Sequence, residues 1–344
     1  MNTIKKYLKR YFIDAMGAMA LGLFASLLIG TIFKTIGQYT KLDFLVEMNT
    51  FAAGASGMAI GCAIAYALKA HPLVMFSCAT VGSMGYALGT VISANGASFN
   101  YTAGPAGSFF AVVVACEIGM LVSKKTKVDI LVTPTVTILS GFLVAKLICP
   151  GIAYVMYYLG DFINTATEMR PLLMGIIIAV VVGVILTLPI SSAAICAMIG
   201  ISGIAGGAAA VGCCCQMVGF AVISFRENKW SGIVAQGLGT SMLQMGNICK
   251  KPQIWIAPTF AAAVCGPLAT MLFKLECTGV SAGMGTCGLV GPLGIISATS
   301  DKTATFWIGL VLLCVVLPAA VSFGANELLR KVGLVKTGDM QLEL

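Results

Sequence analysis

Residues 124–141 read KKTKVDILVTPTVTILSG, and residues 250–266, towards the other end of the chain, read KKPQIWIAPTFAAAVCG. At a constant offset of 124 residues, Lys127 falls on Lys251, Ile130 on Ile254, Pro134 on Pro258 and Thr135 on Thr259. Each copy sets a basic pair ahead of a long apolar run and places a Pro-Thr in its second turn. A membrane span leaving a positively charged surface begins in this way. Two halves built on one plan are therefore expected.

A second pair of segments points the same way. Shifted by 118 residues, Cys78, Ala79, Gly82, Gly85, Ala87 and Gly89 fall on Cys196, Ala197, Gly200, Gly203, Ala205 and Gly207, with Pro72 and Pro189 near the start of each. Internal repeats are a building plan of secondary transporters, whose solute site lies between the repeats.

Composition bounds the class. The 344 residues are 58% hydrophobic and 10% charged, with a mean hydropathy of +0.97. That is outside the range of soluble domains and indicates a polytopic, all-α membrane protein. A span needs about 20 apolar residues. Nearly every segment between charged clusters reaches that length, which leaves no room for a soluble domain of ordinary size. The net charge of +8 does not imply nucleic acid, because the basic residues sit in short turns between apolar runs. They mark the cytoplasmic side instead. Lys5, Lys6, Lys9 and Arg10 precede an apolar run over 13–36 that is too long, and too poor in a small-residue cleavage site, for a removable signal peptide.

The thirteen cysteines mostly lie inside apolar runs, where Cys acts as a small hydrophobe. Consecutive helical residues point about 100° apart, so Cys213, Cys214 and Cys215 cannot share one metal and are assigned to packing.

Ten spans are expected, at 13–36, 49–68, 72–91, 104–123, 128–148, 172–188, two from Pro189 to Ser224 divided at Gly206-Gly207, 254–273 and 305–325. Residues 93–102 read as an outer loop. Residues 152–167, with Tyr154, Tyr157, Tyr158 and Asp161, read as an interfacial helix beyond a break at Cys149-Pro150-Gly151. Residues 230–249 are basic at both flanks and carry Gln236, Gln244 and Asn247, which suits an inner amphipathic helix. Residues 277–300 are too broken by glycine for a full helix and too apolar for a solvated loop, so a re-entrant segment is expected there. The resulting divisions are 1–48, a first half over 49–167 and a second over 168–344, with both termini cytoplasmic.

Few residues offer chemistry. Glu117 lies seven residues before Lys124, roughly 10 Å from that end of its span at 1.5 Å per residue. It reads either as a solute or proton contact or as an acid paired with Lys124 or Lys125. Pro134-Thr135 and Pro258-Thr259 read as helix breaks facing a solute or as proline tolerated in an early turn. Gln216 is a ligand contact or an interhelical hydrogen-bonding residue. Ser281 and Thr286 of the glycine-broken stretch complete the substrate-binding set. Glu168 and Arg170 read as a surface ion pair or a vestibule wall, and His71, the single histidine, as a solvated turn residue. The sequence contains no phosphate loop, zinc-ligand spacing or nucleophile elbow, so neither a catalytic set nor a metal or other cofactor is expected.

Residues 169–195 (MRPLLMGIIIAVVVGVILTLPISSAAI), 224–248 (SFRENKWSGIVAQGLGTSMLQMGNI) and 252–258 (PQIWIAP) resemble the membrane subunit of phosphotransferase-system sugar transporters. The likeness is to the free-standing EIIC group that includes membrane toxin regulators, and it extends over about residues 10–330. It implies an EIIC-like fold of about ten spans with re-entrant segments, a homodimer, and movement of a sugar coupled to phosphorylation by separate EIIB and EIIA proteins. The chain would then be at most the membrane subunit of a sugar phosphotransferase. Sugar-moving relatives use an interior His and Glu, a pattern His71 does not match. The leading expectation is a cytoplasmic-membrane permease for a sugar or other small polar solute, with its site between the repeats near Glu117, Thr135, Gln216 and Thr259. A membrane sensor that keeps the fold without transport is the alternative.

Overall fold

In a lipid environment a backbone must close its own hydrogen bonds, and a helix does so within one segment. The computed structural model, which describes residues 9–94, 97–167, 169–300 and 302–342, is accordingly almost entirely helical. Lys5, Lys6 and Glu168 lie outside the described residues. The chain clusters into two units, 1–158 and 159–344.

The first unit contains α1 (Ile13–Gln38), α2 (Asp43–Gly54), α3 (Ser56–Ala67), α4 (Pro72–Ala87), a hairpin of β1 (Gly89–Ala94) and β2 (Ala97–Thr102), α5 (Gly104–Val122) and most of α6 (Asp129–Thr167). Its packing is made by glycine. A Cβ on Gly22 would sit 2.7 Å from the Ala59 carbonyl oxygen, one on Gly57 2.7 Å from that of Gly82, and one on Gly85 2.6 Å from that of Gly107. Backbone therefore rests on backbone from α1 through α3 and α4 to α5. Side chains of one or no carbon are what such close crossings require.

The second unit contains α7 (Pro171–Thr187), α8 (Ser192–Met198), α9 (Gly203–Ile223), α10 (Phe225–Val234), α11 (Met245–Lys250), α12 (Pro252–Leu272), α13 (Gly279–Ala282), α14 (Cys287–Ala298) and α15 (Ala304–Lys331). Its axis is α9, which is buried along almost its whole length. Gly212 meets the Ala179 backbone of α7, Gly219 meets Pro258 of α12 and Ser322 of α15, and Gly206 and Gly207 meet the backbone at Cys277 and Leu275. The three consecutive cysteines of α9 point to three neighbours. Cys213 reaches the Val182 carbonyl at 3.8 Å, Cys214 is within hydrogen-bonding reach of Cys314, and Cys215 of Cys265. All thirteen thiols are unbridged, and Cys249 is the exposed one.

Several expected boundaries differ. Among the described residues six helices are long and apolar enough to cross a membrane alone, and a seventh crossing arises if α2 and α3, bent by 50° at their junction, count as one. Further expected spans fall on the shorter helices α4 and α7. The third span stops at Ala87, and residues 89–94 pair antiparallel with residues 97–102, Gly89 opposite Thr102. The β-branched and aromatic residues in TVIS and SFNYT favour strands over a loop. No break occurs at Pro150, because α6 continues through it for 39 residues. That proline forgoes one bond to the Lys146 carbonyl without ending the helix. The turn expected at Gly206-Gly207 lies earlier, between α8 and α9, at Gly200 and Gly203 with φ of +64° and +61°. Residues 230–249 form several short helices with Gln236 and Gln244 fully buried, in place of one amphipathic helix.

A Cβ at position 207 would collide with the Leu275 carbonyl, and backbone cannot rotate away from it. Gly207→Ala is expected to lower stability by about 2–3 kcal/mol. Gly324→Ala, which meets nothing within 4 Å, should be neutral or stabilising by up to about 1 kcal/mol. Unfolding of the two variants in detergent micelles compares them directly, and equal midpoints would refute the close-contact account.

Candidate functional site

Gln216 sits midway along α9 and is fully buried. An amide removed from water without partners is costly, and α12 supplies both. The Gln216 Nε2 donates to Thr259 Oγ1 at 3.2 Å, and Trp255 Nε1 donates to Gln216 Oε1 at 3.1 Å. Trp255 and Thr259 are four residues apart, so one helix face presents both. Pro258, also buried, packs beside Gly219. Trp255 and Thr259 continue into an open apolar groove of about 440 Å³ lined also by Val180, Val184 and Phe260.

A second cluster forms where two broken stretches cross. The Cys277 N–H donates to the Gly203 carbonyl at 3.1 Å and the Gly279 N–H to the Ile201 carbonyl at 2.9 Å. Ser192 Oγ donates to the Gly283 carbonyl at 2.7 Å. Gly279 at the start of α13, Gly285 between α13 and α14, and Gly288 near the start of α14 all adopt positive φ, which lets the chain turn repeatedly through this stretch. Gly285 packs on Cys213, one helical turn from Gln216. The next residue, Thr286, is 4% exposed, and its hydroxyl has no hydrogen-bond partner. Ser281 lies against Gly294.

The candidates of the first unit are differently placed. Glu117 pairs with Arg10 at 2.7 Å. Neither Lys124 nor Lys125 forms an ion pair with Glu117, and the backbone N–H of Lys124 donates to Asp129 Oδ1 at 2.8 Å, which ties the preceding turn to the first residue of α6. Pro134 is half-buried and Thr135 exposed, whereas Thr133 and Thr137 of the same helix are fully buried. Thr133 Oγ1 donates to Asp129 Oδ1 at 2.6 Å, and Thr137 faces Gly119. The two Pro-Thr pairs thus differ in setting, with Thr259 half-buried and bonded to Gln216. Sequence reading missed Trp255 and Ser192. The four-residue step from Trp255 to Thr259 was the available signal for the first, and the second has none.

Comparison with known families decides the relationship. The family model described as Phosphotransferase system, EIIC, matches residues 13–342. The chain belongs to that family. No curated protein and no solved structure matches it significantly.

This EIIC protein is thus a multi-pass membrane component of phosphotransferase type, and its second unit carries two buried polar clusters one turn apart on α9. Gln216→Leu would orphan the Trp255 indole N–H and the Thr259 hydroxyl together. A loss of about 1–3 kcal/mol is expected. Thr259→Val added to that variant should cost less than it does alone, with a coupling of about 1 kcal/mol. A double-mutant cycle by unfolding in micelles measures this, and strict additivity would sever the proposed link.

Proposed function

We propose that this EIIC protein is the permease subunit for a sugar or comparably small polar solute in the cytoplasmic membrane. It works as a homodimer with both termini in the cytoplasm, and separate EIIB and EIIA proteins supply the phosphoryl group. The observation that carries the reading is the Thr286 hydroxyl. It is a buried donor and acceptor left unpaired in a stretch where the N–H groups of Gly283, Met284, Cys287 and Leu289 all find backbone carbonyls. A solute hydroxyl would complete it, and irregular backbone at such depth is tolerated where protein or a water-filled cavity satisfies it. Gln216, Pro258, Thr259 and Ser281 line the same unit, and Glu117, Pro134 and Thr135 are the contacts assigned to the first.

A second reading, a membrane sensor without transport, is favoured by one observation. Each end of Gln216 already has a partner within the protein, Thr259 at Nε2 and Trp255 at Oε1, so the buried amide is accommodated without a solute.

Uptake of labelled sugars into proteoliposomes, with and without phosphotransferase components, separates the two. Saturable uptake supports the permease, and its absence for every solute tried supports the sensor. Thr286→Val removes a hydroxyl that has no partner in the protein, so stability should change by less than about 1 kcal/mol. Uptake should fall at least tenfold. Unchanged uptake by that variant would remove Thr286 from the site.

A further inference from the structure

The end of the second unit rich in Arg226, Lys229, Lys250 and Lys251 holds a row of buried amides. Asn247 Nδ2 donates to Gln244 Oε1 at 2.8 Å, Gln244 Nε2 to Gln236 Oε1 at 2.9 Å, and Gln236 Nε2 to Ser224 Oγ at 2.8 Å. The outer groups of this row, with Asn228, grip the backbone of the C-terminal segment. Gln244 Nε2 donates to the Met340 carbonyl at 3.0 Å and Asn247 Nδ2 to the Gln341 carbonyl at 2.9 Å. Asn228 makes a two-point contact, donating from Nδ2 to the Met340 carbonyl at 2.8 Å and accepting from the Leu342 N–H at 2.8 Å. The held segment is a turn, closed by Asp339 N–H on the Lys336 carbonyl at 3.2 Å and Gln341 N–H on the Gly338 carbonyl at 3.4 Å. Bonds to a peptide's backbone give affinity, and side-chain pockets give specificity.

Two side chains of the segment are read. Met340 is fully buried, and Asp339 pairs with Lys251 at 3.0 Å. Burial alone would raise the Asp339 carboxyl, but the Lys336 N–H and the Lys251 ammonium outweigh it and hold the group below its ordinary value.

What lies beneath makes the segment separable from the groove. Arg330 Nη2 meets Glu227 Oε1 at 2.9 Å, with both side chains under 10% exposed, and the Gly338 N–H closes over the same oxygen at 3.2 Å. Glu227 Oε2, Arg330 Nε and Asn326 Oδ1 are buried there without partners. Incompletely satisfied buried charge is a cost of the covered state, and water entering on release would relieve it. Release therefore exposes groups that gain from hydration.

We propose that this end of the second unit is a peptide-binding groove, that residues 336–342 are its resident ligand, and that it accepts in trans a peptide that turns in the same way, with an acidic residue preceding a large apolar one. The C-terminus is then a competitor for a partner's peptide, holding the stretch over 224–251 until it is displaced.

The test uses full-length protein in micelles and a fluorescent peptide of sequence LVKTGDMQL, residues 334–342. Met340→Asp should dislodge the chain's own segment, so this variant should bind the peptide at least tenfold more tightly than the unaltered protein. The same peptide with Lys at the position of Asp339, or Asp at that of Met340, should bind at least tenfold more weakly. Adding Asn228→Ala to the variant should abolish binding. Tryptic cleavage after Lys336 should be at least tenfold faster in Met340→Asp than in the unaltered protein. Equal cleavage rates, or peptide binding no tighter in the variant, overturns the proposal. If Met340→Asp loses cooperative unfolding, Asp339→Lys, which dislodges the chain's own segment and leaves the groove unaltered, replaces it with the same two readouts and the same criteria.

Discussion

Two stretches of this chain, around Ile201–Gly203 and Cys277–Gly279, leave the helix in a setting where stray amides are costly, and each completes the other's backbone. The unpaired Thr286 hydroxyl, the approach of Gly206 and Gly207 to Leu275 and Cys277, and the alignment of Gly285 on Cys213 all follow from that crossing. Glycine is needed on both sides. It supplies the positive φ that turns the chain and the missing Cβ that lets one backbone lie on another.

The same residue type serves two purposes, which is why some of the fold was legible in the sequence and some was not. The membrane class, the span expected over 254–273 and the glycine-broken stretch after Phe273 follow from hydropathy and composition alone. Gly206-Gly207 was misassigned because a glycine that turns a chain and a glycine that admits a neighbour look alike in one dimension. The stop at Ala87 and the hairpin after it were hidden by strand-forming residues that are also apolar enough to extend a span. Pro150 looked like a terminator, but a long helix can lose one bond and continue.

The candidate residues divide along the same line. Gln216 and Thr259 were identifiable as polar groups in apolar surroundings, and their mutual bond joins them. Glu117 was identifiable as an acid within an apolar span, but its partner Arg10 is distant in sequence, and no local pattern links them. Gln236, Gln244 and Asn247 read as the wet face of an amphipathic helix because the segment that dries two of them lies almost a hundred positions later. Polarity told where these side chains were and nothing about what would cover them.

The cysteines carry a practical consequence. Three successive thiols on α9 are sealed by three different neighbours, and most others are likewise enclosed, whereas Cys249 is exposed beside Asn247. A hydrophilic alkylating dye offered to the native protein would therefore label chiefly that position, with no need to strip the chain of its other sulfurs. A spectroscopic reporter can thus be attached to an unaltered polypeptide within two residues of the amide that holds Gln341.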